Sequence, residues 1–306
     1  MVTAIREGEF LRVGERTLVM LSGGGDSVAL TALAATVCGP SEVTALHVNY
    51  GLRGADSDAD EQLCRELCER LGVELLVERV TLGEGGNLHD RARDARYRLA
   101  RAAAEKVGGK AIAVAHNADD RAETLLYRLI ASPGRRALLG MPRRRGLIVR
   151  PLLDFTREQL RAWCRAEGLA WREDTANVDP RFARTRVRSA LAELRSVHPA
   201  ALGNILHTAD ELAAEAAALD AVVDGLLAAA SGADGLRVGE LAAMPAPLAA
   251  LVLREFTERS VGAPVPAARK ALRRVLEAGA AGGSHAIDVE GARLSVEYGN
   301  LTARSH

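Results

Sequence analysis

Short apolar runs alternate with longer amphipathic stretches along the first half of the chain. Apolar runs without polar alternation predict strands buried on both faces, as in a parallel sheet. The predicted strands are residues 17–21, 43–48, 73–80, 111–115 and 147–149. Helical spacing between them predicts helices over residues 27–37, 57–71, 88–107 and 119–131.

This order of elements predicts the fold class. Strands that alternate with helices form right-handed βαβ units and a parallel sheet covered by helices on both faces. We therefore predict an α/β, doubly wound parallel sheet that binds a nucleotide. Because ligands of such sheets bind beyond the carboxyl ends of the strands, three post-strand segments should share one rim. They are residues 22–27, 47–53 and 116–120.

The pattern changes after Pro199. Residues 200–230 form one alanine- and leucine-rich stretch that predicts a long helix with acidic side chains along its polar side. Two further helices are predicted at residues 247–259 and 267–278, and two short strands at 285–289 and 293–298. The predicted domains are a catalytic domain over 1–199, a linking helix over 200–230, and a smaller, mainly helical C-terminal domain over 231–306.

Composition narrows the class of protein. The 306 residues carry 40 basic and 40 acidic side chains, so the formal net charge is zero. A zero net charge argues against a general polyanion binder. No apolar stretch approaches a membrane span, and the N-terminus lacks the apolar core of a signal peptide. We therefore expect a cytoplasmic protein without membrane association. The four cysteines form no C-x-x-C pair, and Cys64 and Cys68, one helical turn apart, are expected to be buried.

Positive charge is concentrated in arginines. Residues 132–150 hold six arginines and no acid, and residues 181–195 hold five arginines against one glutamate. Arg184 and Arg188 follow Arg181 at helical spacing and predict a basic stripe that could contact nucleic-acid phosphates. A solvated basic face is the alternative explanation.

A glycine-rich turn follows the first predicted strand and opens the next helix. Glycines at such a turn let the backbone approach an anion, toward which the helix start directs free N–H groups. The two serines add hydroxyl donors, and the carboxylate could hold magnesium bridging phosphates. The turn lacks the lysine of a Walker A loop. Its residues are Ser22, Gly23, Gly24, Gly25, Asp26 and Ser27.

Two further groups of side chains belong to the predicted rim. His116, Asp119 and Asp120 stand where a strand hands over to a helix, so the acids could bind magnesium or simply cap the helix. Arg93 and Arg96 lie three residues apart on one helix face and could stabilise charge on a phosphate. Intrahelical pairing with neighbouring aspartates is the alternative for these arginines.

The glycine turn resembles the PP-loop of the ATP-pyrophosphatase superfamily, whose members adenylate an oxygen of the substrate and release pyrophosphate. The combined motifs resemble the tRNA(Ile)-lysidine synthetase family over the N-terminal two-thirds of the chain. The matching segments are residues 22–27, 47–53, 92–97, 116–124, 140–141, 150–153 and 174–177, with Arg184 and Arg188.

The resemblance implies a reaction. Members use ATP and magnesium to adenylate the C2 oxygen of the wobble cytidine in the isoleucine tRNA with a CAU anticodon, and the ε-amine of L-lysine then displaces AMP. Residues 22–27 would hold ATP, with Asp26 and Asp120 toward magnesium. Asp26, His116, Asp119, Asp120, Arg93 and Arg96 would be catalytic. Arg53, Asp174, Asn177, Arg184 and Arg188 would contact tRNA.

The chain departs from the family pattern at several positions. Tyr50 replaces a histidine, Arg121 a glutamine and Thr185 an asparagine, and residues 131–134 replace an Arg-Gly-Ser-Gly turn. Three other readings compete with this one. A tRNA thiolase of the same fold would usually need paired cysteines, and the chain has no C-x-x-C; a glutamine-dependent amidotransferase synthetase would need a glutaminase domain or partner, and no segment matches one. Asp26, Asp119 and Asp120 together argue against a non-catalytic ATP sensor. The oligomeric state is open as well, with a homodimer among the options.

Overall fold

The structure is a computed structural model that describes residues 1–8, 10–82, 88–131, 138–173 and 183–306. The chain divides into two compact units, Met1–Leu212 and Ala213–His306. The division falls inside the long helix that the sequence predicts as a linker. Each unit has a hydrophobic core of its own.

The first unit is built on a six-stranded sheet in the order β3-β2-β1-β4-β6-β5. All neighbours are parallel except β5 and β6. The strands are β1 (Thr17–Met20), β2 (Val43–Asn49), β3 (Glu74–Arg79), β4 (Ala111–Ala113), β5 (Arg144–Arg145) and β6 (Ile148–Val149). The predicted doubly wound parallel sheet is confirmed, with every predicted strand in place.

Helices cover both faces of this sheet. The helices of the first unit are α1 (Val2–Glu7), α2 (Gly25–Cys38), α3 (Ala55–Leu71), α4 (Leu88–Val107), α5 (Ala118–Ala131), α6 (Arg157–Ala166) and α7 (Ala183–Val197). The next helix, α8 (Ala201–Ala230), begins in the first unit and ends in the second. Leu30 and Leu33 of α2 are fully buried in the core on one face. Ala100 and Ala104 of α4 pack against Leu18 and Ile112 on the other face. Burial on both faces explains why the strands read as continuous apolar runs.

The chain order of the strands reverses between β1 and β4. From β1 the sheet extends to β2 and β3 on one side, and from β4 to β6 on the other. A reversal of this kind leaves a crevice beyond the carboxyl ends of the two central strands, where open α/β sheets bind ligands. The glycine turn follows β1 and the His116–Asp120 segment follows β4, so both open into this crevice.

The second unit combines helices with a sheet that the sequence predicts only in part. Its sheet has five strands in the order β7-β8-β11-β10-β9. The elements are β7 (Ser231–Gly232), β8 (Gly235–Arg237), α9 (Val238–Ala243), α10 (Ala246–Val261), α11 (Leu272–Ala281), β9 (Ser284–Val289), β10 (Ala292–Glu297) and β11 (Asn300–Arg304). The two predicted strands match β9 and β10, whereas β7, β8 and β11 were not predicted.

The first turns of α8 belong structurally to the first unit. Leu202 is 7% exposed and packs with Ala122 of α5 and Leu191 of α7. Arg121, which stands where the family has glutamine, is buried and forms an ion pair with Asp210 of α8. The arginine at position 121 thus has an ion-pair partner, Asp210, further along the chain.

We predict that a chain ending at Leu212 unfolds at a higher temperature than a chain ending at Pro199. The shorter chain loses the burial of Leu202, about 2 kcal/mol, and leaves the buried Arg121 without Asp210. Thermal unfolding of both chains measures the difference. Asp210→Asn in the full chain serves as the control that isolates the ion pair, and equal melting temperatures for the two truncated chains would refute the assignment of these turns.

Candidate active site

The glycine turn is braced from within by Ser27. The Ser27 Oγ accepts the Ser22 N–H at 3.1 Å and donates to the Gly24 carbonyl at 2.8 Å. Gly23 has φ +88°, a value that favours glycine because a side chain would be strained there. Since the Ser27 hydroxyl is engaged inside the turn, it holds the loop in shape, and its predicted contact with a phosphate stays a prediction.

The start of α2 lies open at the end of this turn. Its N-cap residue Gly24 makes no side-chain capping bond, and Ser22 is exposed. The first N–H groups of a helix have no partner within the helix and carry partial positive charge. The loop therefore presents backbone donors suited to the phosphates of a nucleotide.

A segment near residue 171 lies against the loop from the other side. The Arg172 N–H donates to the Gly23 carbonyl at 3.0 Å. A Cβ added to Gly25 would lie 3.3 Å from the Trp171 ring, which fits closely over this glycine. Trp171 packs half-buried against the core and also forms one wall of the loop.

Asp26, in the first turn of α2, faces the acidic start of α5. Its Oδ2 accepts from Asn117 Nδ2 at 2.9 Å, whereas its Oδ1 is buried and has no hydrogen-bond partner among the residues that the structure describes. Burial raises the pKa of Asp26 to about 6, and the nearby Asp120 and Asp119 act in the same direction while Arg157 opposes them. The carboxylate is thus poorly compensated in the absence of a ligand.

Asn117 and Asp120 join this carboxylate to α5. The Asp120 N–H donates to Asn117 Oδ1 at 2.9 Å, and the Asn117 N–H donates to Asp120 Oδ2 at 3.2 Å. This reciprocal pair resembles a capping box at the helix start. The capping alternative for Asp120 is therefore realised, and it places the second oxygen of Asp120 toward the arginines described next.

Asp119 caps a different helix. Its Oδ2 accepts the N–H of Arg157, the first residue of α6, at 2.8 Å, and its Oδ1 accepts from Arg195 at 2.8 Å. Burial alone would raise the pKa of Asp119, but these two donors outweigh burial and lower it. Both oxygens are engaged in holding α6 and α7, so Asp119 positions the site.

Arginines from α6 and α7 neutralise the remaining acids. Arg184 donates to Asp120 Oδ1 at 2.9 Å and to Glu123 Oε2 at 3.0 Å, and Arg188 donates to Glu123 Oε1 at 2.7 Å. Glu123 is 1% exposed, and although burial raises its pKa, hydrogen bonds from Arg188 and Arg184 lower it overall. The pKa of Asp120 is raised because burial outweighs the effect of Arg184 and Arg157.

His116 supplies a neutral group beside these charges. Its Nδ1 accepts from Arg150 Nε at 3.3 Å, which leaves the proton on Nε2. Burial, followed by Arg150, Arg184, Arg93 and Arg96, lowers the pKa of His116 to about 3. The Arg93 guanidinium stacks over the Tyr97 ring, 5.0 Å from its centroid. The His116 imidazole can donate a hydrogen bond and is a poor base.

Residues 47–53 are largely satisfied within the fold. The His47 Nδ1–H donates to the Leu21 carbonyl at 2.9 Å, and burial lowers the pKa of this histidine. Arg53 forms an ion pair with Asp60. The Tyr50 hydroxyl donates to the Ala92 carbonyl at 2.8 Å and so ties this segment to the helix that carries Arg93 and Arg96.

The structure thus brings most of the predicted catalytic residues into one crevice. Asp174 and Asn177, predicted to contact tRNA, lie outside the described residues. Sequence reasoning missed the roles of Asn117, Arg157 and Trp171. The Thr156-x-x-Gln159 pattern, a capping box that starts α6 directly before Arg157, was the signal that could have found this helix.

A magnesium ion fits the donor set around Asp26. The unpartnered Oδ1 of Asp26 and the nearby Asp120 are carboxylate oxygens, the ligands that magnesium prefers. Across the described residues, no group of three His, Cys, Asp or Glu side chains could hold a metal alone. The fit therefore calls for additional oxygens from a nucleotide or water, which is how magnesium commonly binds with ATP.

The chain was compared with known proteins. Residues 3–194 match the family model of the PP-loop domain. The tRNA(Ile)-lysidine synthase of Symbiobacterium thermophilum is 35% identical over 99% of this chain and 68% of its own length. The enzyme of the same name from Thermus thermophilus is 44% identical over 61% of this chain and 37% of its own length.

Among solved structures, the U34-tRNA thiolase NcsA from Methanococcus maripaludis is similar with a TM-score of 0.58. The match covers 69% of this chain and 77% of that one at 19% identity, so it shows the shared fold alone. In the described ranges, no helix has the length and apolarity that a membrane span needs. With the PP-loop match and a lysidine synthase relative aligned over nearly the whole chain, this protein belongs to the tRNA(Ile)-lysidine synthase family.

Proposed function

We propose that this chain ligates L-lysine to C2 of the wobble cytidine in the isoleucine tRNA with a CAU anticodon, consuming ATP and releasing AMP and pyrophosphate. The observation that carries the proposal is the 2.9 Å hydrogen bond from Asn117 to Asp26. It joins the phosphate loop after β1 to the acidic helix start after β4. One crevice therefore offers both an ATP site and the groups needed beside its α-phosphate.

The first step is adenylation of the cytidine. The C2 oxygen attacks the α-phosphorus of ATP, and the bond to the β-phosphate oxygen breaks. The open N–H groups of residues 23–26 hold the departing pyrophosphate, because preorganised backbone donors stabilise developing negative charge. Magnesium held by Asp26 and Asp120 would supply charge neutralisation on the phosphates. We assign Arg93 and Arg96 of α4 to stabilising the charge that develops on the α-phosphate.

The second step replaces AMP by lysine. The ε-amine attacks C2, and the bond from C2 to the adenylated oxygen breaks with release of AMP. The ε-ammonium must lose a proton first, since its ordinary pKa is about 10.4. His116, whose pKa is lowered to about 3, is too weak a base to accept that proton. We therefore propose that a carboxylate of the rim accepts the proton. Neutral His116 instead donates from Nε2 toward the base or the phosphate.

The buried cysteines favour lysine over sulfur as the second substrate. All four cysteine side chains lie in the hydrophobic core of the first unit, and burial raises the pKa of Cys68 and Cys164 to about 11. A sulfur carrier needs an accessible thiolate of low pKa. This argues against the thiolase reading, and the amine of free lysine needs no such group.

The tRNA would contact Arg53, Asp174, Asn177, Arg184 and Arg188. The Arg184 side chain is 52% exposed even though it pairs with Asp120 and Glu123. Part of its guanidinium can therefore meet a phosphate while the rest holds the acids. A cytoplasmic location and a homodimer remain predictions of the sequence.

We expect Asp26→Asn to reduce pyrophosphate release by at least about a hundredfold, because the loop loses its anionic metal and phosphate anchor. The assay supplies ATP, lysine and the tRNA, and mass spectrometry of the anticodon nucleoside detects lysidine. Asp154→Asn is the matched control, because Asp154 is an exposed aspartate that pairs with Arg143 at the surface. Undiminished turnover in a folded Asp26→Asn protein would refute the assignment.

The same substitution should stabilise the ligand-free protein above pH 6. The pKa of Asp26 is about 6 in the folded protein and 3.8 for an ordinary aspartate, so the folded protein binds this proton more tightly than the unfolded chain. Stability therefore falls as pH rises from about 4 to about 6, and the uncharged amide of the Asp26→Asn protein removes that loss. We expect a gain of about 2 kcal/mol at pH 8 and convergence at pH 4, measured by chemical denaturation. Parallel profiles for both proteins would contradict the expectation.

Arg188→Gln should weaken tRNA binding and lower the log–log salt slope by about one unit if this arginine contacts a phosphate. It should also lower stability, because Glu123 loses a partner. Glu123→Gln separates the two effects: it removes the acid but keeps the arginine, so stability should fall while the salt slope holds. If Arg188→Gln leaves the slope unchanged, Arg188 serves only to position Glu123.

A further inference from the structure

Arg157, at the start of α6, reaches several acids of the crevice at once. Its Nη2 lies 3.1 Å from Asp120 Oδ1 and 3.7 Å from Glu123 Oε1, and its Nε lies 3.7 Å from Asp26 Oδ2. Its own N–H is held by Asp119. The side chain is only 20% exposed, so these contacts form largely out of water.

These contacts differ in strength. The backbone bond to Asp119 at 2.8 Å and the pair with Asp120 at 3.1 Å are within hydrogen-bond range. The 3.7 Å separation from Asp26 is an ion pair without a hydrogen bond. The guanidinium is thus anchored beside the crevice but bound loosely to Asp26, the residue whose Oδ1 has no partner.

We propose that Arg157 is a positioning residue that serves as the counter-cation of the nucleotide-free site and gives way at Asp26 and Asp120 when a divalent cation arrives with ATP. The inference rests on the proposed function, since it takes these two acids as the cation ligands. A guanidinium and a divalent cation would compete for the carboxylates of Asp26 and Asp120, and two positive charges beside the same carboxylates repel each other.

The anchoring explains how such an exchange can be reversible. Asp119 holds the backbone of Arg157 and not its guanidinium, so the head group can move while α6 stays in place. Glu123 offers the displaced guanidinium a second carboxylate at 3.7 Å. A phosphate of the bound nucleotide would offer another partner, because arginine suits phosphate oxygens in a bidentate manner.

The test measures cation binding without nucleotide or tRNA. Manganese(II) is titrated at pH 8 into the full-length wild type, Arg157→Gln and Arg157→Lys, and free manganese is followed by electron paramagnetic resonance. We expect Arg157→Gln to bind manganese about tenfold more tightly than the wild type. Arg157→Lys, which keeps the charge on a shorter head group, should fall between the two.

Thermal unfolding supplies the second readout. Without divalent cations, Arg157→Gln should melt about 5 °C below the wild type, because the acids lose a counter-charge. Magnesium chloride should recover most of that loss in Arg157→Gln and have little effect on the wild type. Arg143→Gln is the matched control: it breaks a surface pair with Asp154 and should leave manganese affinity unchanged.

Two outcomes would overturn the proposal. If both Arg157 variants bind manganese no more tightly than the wild type, the guanidinium does not compete for the cation site. If magnesium fails to restore the stability of a folded Arg157→Gln protein, the residue is structural only. Lysidine formation by the wild type is measured separately, so that a failed activity and a failed exchange at Arg157 are distinguishable.

Discussion

The crevice depends on four carboxylates that are crowded together largely out of water. Asp26, Asp119, Asp120 and Glu123 converge where α2 and α5 begin. Removing carboxylates from water costs several kcal/mol each unless cations and hydrogen-bond donors replace the lost hydration. The arginines that meet this cost come from α6 and α7, so the crevice is complete only when these helices pack beside the sheet. The acids of the site can therefore be compensated only when α6 and α7 are packed in the first unit.

The negative charges of the four acids are not equally stabilised by hydrogen-bond donors and cations, and this difference distinguishes their roles. Asp119 and Glu123 receive direct hydrogen bonds from arginines, which lower their pKa values despite burial. Asp26 accepts a hydrogen bond from the neutral side-chain amide of Asn117, and burial raises its pKa to about 6. Asp119 and Glu123, whose pKa values are lowered, hold α6 and α7 in place, whereas Asp26 and Asp120, whose pKa values are raised, are the two acids that the proposed function assigns to a divalent cation. Raised carboxylate pKa values of this kind are typical of functional sites.

The features of this fold that could be predicted from the sequence are those that depend on local periodicity and on turn residues. The strands, the helices between them and the glycine turn follow from apolar runs and from backbone constraints that act within a few residues, and the rim segments follow from the winding of the sheet. The partners of the acids could not be read in this way. Glu123 meets Arg184 across 61 positions and Asp119 meets Arg195 across 76 positions. Arginine spacing on α7 indicated a basic stripe but not which acids face it.

The buried cysteines bear on which second substrate the crevice could accept. Similarity to the thiolase structure at 19% identity extends to the fold alone. The second step depends on what surrounds the activated base. In this chain the four thiols are buried in the hydrophobic core, and the crevice is lined by acids and arginines. The four acids face Arg157, Arg184, Arg188 and Arg195, so the charge of the wall does not by itself distinguish an amine from a thiolate. Under the proposed function, burial of the cysteines, and not the charge of the wall, is the feature of this chain that favours an amine as the incoming nucleophile.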